Sequence, residues 1–345
     1  MVLFIPSILL LCFSIFNLLG TRPDLVLKVI IFSAISIGLY FFVHGFNHQF
    51  LRTNSKLFYW VGIFTLVLTL FIGEKVNGSR SWINLYFFNY QASEVFKVFF
   101  VLLFAERFSQ KSYQSQNFAY YVQTLFYAVV PIGLILLQPD LGQSLVYIVM
   151  FGMLLFFSDI PKKYIFFTII CIIMVLPATW PFLHSFQRGR IMSFVNPQNY
   201  EGDISYNMLQ AIITIGSGQI FGKGLGLGTQ SQLYFLPENH TDFAFSSLVE
   251  QFGFVGGAVV LLLFGFIALQ LSNKLLYNFR YNDEEHRFEF FMTIGFLSFF
   301  MSQLYINVGM NIGIMPITGL ALPIISYGGS SLITWFIGIA LLQKK

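Results

Sequence analysis

FAFSSLVEQFGFVGGAVVLLLFGFIALQL, residues 243–271, carries its last charge at Glu250 and then runs to Leu271 without another. A helix crossing a bilayer needs roughly 20 mainly apolar residues, and this stretch supplies them. Stretches of the same kind recur outward from it at 2–19, 25–45, 57–73, 119–137, 141–158, 163–183, 290–310 and 322–342. A tenth, 93–106, is shorter and carries Glu94 and Lys97 near its start, but it must cross if the parity of its neighbours is to hold. The 345 residues are 56% apolar and only 10% charged, with a mean hydropathy of +0.73, whereas soluble domains carry about 25% charged residues. These observations predict an all-α, polytopic integral membrane protein, one transmembrane domain over 1–345 with about ten transmembrane helices.

The formal charge of +4 comes with no basic stripe, so no nucleic acid partner is expected, and membrane lipids are the expected surroundings. Cys12 and Cys171 each sit in an apolar run and read as small core residues. Val2 to Leu19 has no basic leader or small-residue cleavage site and reads as a retained helix. Lys and Arg set the expected orientation. With the N-terminus in the cytoplasm, the inner loops hold Arg52, Lys56, Arg107, Lys111, Lys162, Lys163, Lys274, Arg280, Arg287, Lys344 and Lys345. The outer side holds Arg22, Lys28, Lys75, Arg80, Arg188, Arg190 and Lys223. Both termini are therefore expected in the cytoplasm of a cytoplasmic (inner) membrane protein.

This orientation leaves two large extracytoplasmic loops, 74–92 and 184–242. Long loops inside compact domains tend to be functional. Within the second, YNMLQAIITIG (206–216) places Met208, Leu209, Ile212, Ile213 and Ile215 at helical spacing, too short to span, and reads as an interfacial or re-entrant helix. The glycines of GSGQIFGKGLGLG (216–228) allow tight turns over a packed helical base.

The polar residues near these loops are the candidates for chemistry. Asp242, where the second loop meets the helix from 243, is either a helix cap with Thr241 or a general base at the water–lipid boundary. Asp140, after Pro139, reads first as a cap for the next helix, with a ligand or metal contact as the alternative. Glu94 and Lys97 lie three apart on one helix face and can pair. Ionisable groups inside a membrane are costly and usually functional, so a structural pair and a substrate contact stand side by side. Arg80, Arg188, Arg190 and Lys223 supply cations for phosphate recognition. Trp82 reads as an interfacial anchor. His240 has no metal-ligand spacing around it. Asn77-Gly-Ser79 and Asn239-His-Thr241 fit the short glycosylation pattern.

GKGLGLGTQSQLYFLPENHTDFAFSSLVEQFGFVGG (222–257) resembles the signature of the SEDS family (shape, elongation, division and sporulation). Four other runs match in order: GSRSWINL…QASEVFK (78–97), QPDLGQSL (138–145), QRGRIMSFVNP (187–197) and LPIISYGGSS (322–331). The resemblance covers essentially the whole chain, and GTQSQLYFLPE looks more like the family's rod-shape branch than its division branch. Ala92 stands where the family usually has proline, and Asn239 where a basic residue is common. The resemblance implies a peptidoglycan glycosyltransferase that polymerises lipid II on the outer membrane face, partnered by a class B penicillin-binding protein, a transpeptidase. Carried over by motif, Asp242 is the expected catalytic acid. Arg80, Trp82, Glu94, Lys97, Asp140, Arg190 and Lys223 are expected around the substrate, with Mg2+ or Mn2+ as a candidate counter-ion. A lipid II flippase and a non-catalytic cell-wall scaffold are the alternatives.

Overall fold

A computed structural model of the chain describes residues 2–343 apart from 77, 86–88, 111–116, 184, 196–202 and 282. Lys111, Lys344 and Lys345 of the basic loops, Asn77 of one glycosylation pattern, and the Asn196-Pro197 end of the fourth motif lie outside the described residues. The described chain is helical except for one small sheet. In order it forms α1 (Phe4–Thr21), α2 (Pro23–Gly45), α3 (His48–Thr53), α4 (Ser55–Ile72), β1 (Glu74–Val76), β2 (Ser79–Asn84), β3 (Asn89–Gln91), α5 (Ala92–Ser109), α6 (Phe118–Leu137), α7 (Leu141–Phe157), α8 (Lys162–Thr179), α9 (Ser185–Val195), α10 (Asp203–Ser217), α11 (Thr229–Gln232), α12 (Ala244–Phe279), α13 (Glu284–Asn311) and α14 (Gly329–Leu342). Six of these, α1, α2, α4, α6, α12 and α13, are long and apolar enough to cross a bilayer, and α7 and α14 are shorter apolar helices.

The helices form two compact units, one of residues 1–45, 189–271 and 300–345, the other of 46–188 and 272–299. In the first, α2 packs along α14 and α1, and buried polar groups tie the elements together. Trp335 Nε1 donates to Ser7 Oγ at 2.9 Å, and Ser14 Oγ to the Ile325 carbonyl at 2.8 Å. In the second, α4 packs on α5 and α6, and the Tyr59 hydroxyl donates to the Tyr127 carbonyl at 2.8 Å. Phe96, Phe100 and Tyr147 form a buried aromatic cluster there. Each unit also exposes large apolar side chains, such as Leu262 and Leu269 in the first and Phe71 and Phe126 in the second, a surface suited to lipid and not to water.

Three differences from the sequence expectation have physical causes. The first of the two long loops forms an antiparallel sheet in the order β1-β2-β3, with Trp82 opposite both Glu74 and Gln91; in SRSWIN the alternation buries Ser81 and Ile83 and exposes Arg80. The last helix starts at Gly329 and not at 322. Ile324 has a φ of 66°, outside the right-handed helical region, and Ser326 Oγ accepts from Leu322 N–H (2.8 Å) while donating to the Thr241 carbonyl (2.6 Å). Thr241 also does not cap α12, because its hydroxyl donates to Glu238, 2.8 Å from the carboxylate. The expected helix in the second loop is α10, with Met208 buried and Leu209, Ile212 and Ile213 exposed, the amphipathic division of an interfacial helix.

The deciding feature is a break inside α12. Gly253 has φ 70° and ψ −174°, a region essentially confined to glycine. The break costs the helix its bonds from residues 254 and 255 to residues 250 and 251. The glycine-rich loop restores all four groups: Phe254 N–H donates to Gln219 O (2.8 Å), Val255 N–H to Ile220 O (3.1 Å), Lys223 N–H to Glu250 O (2.9 Å) and Gly224 N–H to Gln251 O (3.0 Å). Backbones abut so closely that a Cβ on Gly222 would lie 2.2 Å from Gln251 O, and one on Gly253 would lie 2.3 Å from Gly222 N. The Glu250 carboxylate, fully buried, then fixes the next turn by accepting from Gln230 N–H (2.9 Å), Ser231 N–H (3.0 Å) and Ser231 Oγ (2.6 Å). Gly253→Ala is expected to destabilise the protein by about 2 kcal/mol or more, read as a melting temperature several degrees lower in detergent. An unchanged melting temperature would remove the strain argument.

Candidate active site

Asp242 sits at the end of a turn whose main chain is held carbonyl by carbonyl. Ser247 Oγ donates to Asn239 O (2.8 Å), Tyr327 N–H to His240 O (2.8 Å) and Ser326 Oγ to Thr241 O (2.6 Å). Asn307 and Asn311, both fully buried on α13, donate through Nδ2 to Asp242 O at 2.9 and 3.1 Å. Asn311 Oδ1 in turn accepts from Ser246 N–H and Oγ at the start of α12. Beneath the turn, Phe243 packs with Met208, Ala211, Leu236, Met310 and Ile317. The half-buried Asp242 carboxylate thus stands on a fixed backbone over an apolar base.

Arg190, on α9, reaches the same place. Its Nη1 donates to Thr318 O at 2.6 Å. A Cβ placed on Gly319 would stand 3.4 Å from Arg190 Nη2, 3.5 Å from its Nη1 and 3.5 Å from Asp242 Oδ2. The acid and the cation therefore converge on the backbone of Gly319, whose φ of 75° favours glycine. A carboxylate and a guanidinium facing one glycine can take a proton and offset negative charge side by side. His240 nearby is no second cation: burial lowers its pKa below the ordinary histidine value, so it is neutral at pH 7.

The other predicted residues fall into two further groups. Lys223 belongs to the loop lock, its ammonium 2.9 Å from Thr229 Oγ1 and 3.3 Å from Glu250 Oε1. Glu94, Lys97, Asp140, Trp82 and Arg80 belong to the second unit. Lys97 Nζ donates to Glu94 Oε1 at 2.8 Å, both side chains being buried, and lies 5.6 Å from the ring centre of Phe299. Gln143 Nε2 donates to the same Glu94 oxygen. Asp140 caps α7, its Oδ1 accepting from Gln143 N–H at 3.0 Å, as its position after Pro139 suggests. Gln91 Nε2 lies 3.4 Å from Asp140 Oδ2. β2 is docked to this group because Arg80 N–H donates to Gln138 O at 3.1 Å, while the Arg80 side chain is exposed and Trp82 half-buried.

Glu250, Asn307, Asn311, Gly319 and Gln143 escape a reading of the sequence. Glu250 alone carried a usable signal, an acid inside an otherwise apolar span. Among the described residues no three His, Cys, Asp or Glu side chains gather as a metal cluster.

The profile of the FtsW/RodA/SpoVE cell cycle protein family matches residues 2–344. A relative from Marinomonas mediterranea, called probable peptidoglycan glycosyltransferase FtsW, is 40% identical over 79% of this chain and 66% of its own length. Peptidoglycan glycosyltransferase MrdB of Helicobacter pylori strain J99 is 32% identical over 99% of this chain and 88% of its own. A chain from a structure of a peptidoglycan synthase complex that coordinates polymerization and crosslinking superposes with a TM-score of 0.80 at 26% identity, covering 99% of this chain and 96% of that one. The chain is therefore a polytopic helical membrane protein and belongs to the FtsW/RodA/SpoVE family of cell cycle proteins, the SEDS family that its motifs resemble.

Proposed function

We propose that this protein is a peptidoglycan glycosyltransferase that polymerises lipid II, with Asp242 as the general base. The observation that supports this most is the convergence of Asp242 and Arg190 on Gly319. In the proposed step, Asp242 accepts the proton of the acceptor's GlcNAc 4-hydroxyl as that oxygen bonds to the anomeric carbon of the donor's MurNAc. The bond from that carbon to the diphosphate oxygen breaks, undecaprenyl diphosphate leaves with the electron pair, and inversion gives a β-1,4 linkage. Arg190 offsets charge on the departing diphosphate, as a pre-oriented cation does best in a site of low polarity. Tethering both saccharides in one membrane supplies orientation.

The proposal takes about ten crossings and both termini in the cytoplasm, following the basic inner loops, which puts Asp242 on the outer face. A divalent cation, Mg2+ or Mn2+, would add positive charge at the departing diphosphate and would be held by the diphosphate's own oxygens, as is usual for Mg2+. A crosslinking partner, a class B penicillin-binding protein, is supported by the neighbour drawn from a synthase complex. The near full-length alignment with MrdB and the GTQSQLYFLPE run support a role in elongation and rod shape. Arg80, Trp82, Glu94, Lys97 and Asp140 are proposed as substrate contacts on the motif resemblance alone; Lys223 serves the loop.

Purified protein, its partner and lipid II test the reading. Asp242→Asn is expected to lower polymer formation by roughly a hundredfold or more, the scale of general acid–base catalysis, with the melting temperature unchanged. Polymer at the parent rate would refute the assignment, and translocation of lipid II across sealed vesicles without polymer would establish the transporter instead. Gly319→Ala fills the space shared by base and cation and is expected to slow polymerisation about tenfold or more. If its rate matches the parent's, reacting groups do not meet at that glycine.

A further inference from the structure

In the second unit, the end of α5 remote from the Glu94–Lys97 pair borders a separate polar cavity of about 270 Å³, lined by Ser55 and Lys56 of α4, Glu106 and Arg107 of α5, and Gln123 and Tyr127 of α6, among others. Thirteen residues separate Glu94 from Arg107 along α5, roughly 20 Å of helix, so the cavity lies far from that pair.

Its charges do not cancel. Glu106 is already matched, accepting from Arg52 Nε at 2.7 Å and Gln110 Nε2 at 2.9 Å. Arg107 is held in place, with Nε on Thr124 Oγ1 (2.9 Å), Nη2 on Tyr120 O (3.2 Å) and Gln123 Oε1 (3.0 Å), and its carbon 4.1 Å from the centre of the Tyr120 ring. Every one of these partners is neutral, and Nη1 makes no hydrogen bond among the described residues. Lys56 likewise has neither ion pair nor hydrogen bond among them. Arg52 is shared with Glu284, 3.7 Å from its Nη2, while Lys56 and Arg107, the latter pre-oriented by its neighbours, face the cavity with no ion pair among the described residues. Guanidinium and ammonium groups in that setting select phosphate oxygens.

The rim adds a second requirement. Tyr127 lines the cavity and its ring centre lies 6.4 Å from that of Trp60. Trp60, Leu57 and Phe126 are exposed beside it on α4 and α6, both long apolar spans. A polar, cationic pocket that opens onto exposed apolar helix faces suits an amphipathic anion, whereas a free phosphate would use only the pocket. Basic pockets between helices on the cytoplasmic side characteristically take anionic headgroups, and Arg52, Lys56 and Arg107 lie at helix ends that the proposed orientation puts on that side.

We propose that this cavity is a binding site for the phosphate headgroup of an anionic membrane phospholipid. The test uses the full chain in phosphatidylcholine nanodiscs doped with phosphatidylglycerol, counting by native mass spectrometry the lipids retained after detergent extraction. One retained phosphatidylglycerol per chain is expected, falling about five-fold in Lys56→Gln and unchanged in Lys28→Gln, an exposed lysine elsewhere. Because Arg107 also braces α5 against α6, Arg107→Gln is read only alongside its melting temperature, and the exposed Lys56 carries the decision. Equal retention of both lipids, or equal retention by Lys56→Gln and the parent, overturns the proposal. Displacement of phosphatidylglycerol by an equal concentration of inorganic phosphate marks a free-phosphate site and overturns the lipid assignment.

Discussion

Where α12 breaks at Gly253, two helical hydrogen bonds are lost inside the most apolar run of the chain. In hydrocarbon, each backbone group left unpaired costs several kcal/mol. The loop at 219–224 supplies the missing donors and acceptors one for one, so the loop is bound to the helix by the helix's own unmet valence. That constraint propagates. Glu250 and Gln251, on the N-terminal side of the break, extend it through their side chains: Glu250 onto residues 230 and 231, and Gln251 onto Asn17 of α1 at 2.7 Å. Ser231 O then accepts from Asn239 Nδ2 at 2.8 Å, and the carbonyl clamps on 239–242 begin there. The position of Asp242 is thus inherited, bond by bond, from a glycine break in a membrane helix.

The two acids that dominate the polar interior are built in opposite ways. Glu94 is sealed with Lys97 and Gln143, where a buried ion pair gains little net stability and serves mainly to fix geometry. Removing either partner would leave a buried charge, so the pair resists change. Asp242 is half-buried and its position is maintained through main-chain carbonyls. The two acids thus differ in where these bonds grip them, Asp242 at its main-chain carbonyl and Glu94 at a carboxylate oxygen. The proposed catalytic role is given to Asp242, the residue that converges with Arg190 on Gly319.

Much of this was legible in the residues. Apolar run lengths found the main helices, and the spacing of Glu94 and Lys97 found their pair. Asp140 after Pro139 found the α7 cap. What escaped depends on partners far apart in the chain. Asn307 and Asn311 look like polar interruptions of a span until Asp242, 65 residues away from the first, arrives against them. Gly319 has no local signature, since its meaning lies in the two side chains that meet over it. The start of α14 was placed too early because apolar composition alone does not tell a helix from a buried extended segment, and Ser326 turns the chain there by bonding across to Thr241.

The segment 318–320 gives the proposed base and cation a common support. Thr318 O holds Arg190, Gly319 leaves the space between the two groups, and Leu320 O accepts from Asn307 Nδ2 at 2.7 Å. The same Asn307 nitrogen holds the Asp242 carbonyl. Three consecutive residues therefore reference both the Asp242 main chain and the Arg190 guanidinium. A reaction that moves a proton to one side of a forming bond and negative charge to the other needs those two groups at a constant separation before substrate arrives. Had Arg190 been anchored elsewhere, any motion of the long second loop would have changed that separation. Anchored to Thr318, it shares one short segment with the Asn307 amide that grips the Asp242 carbonyl.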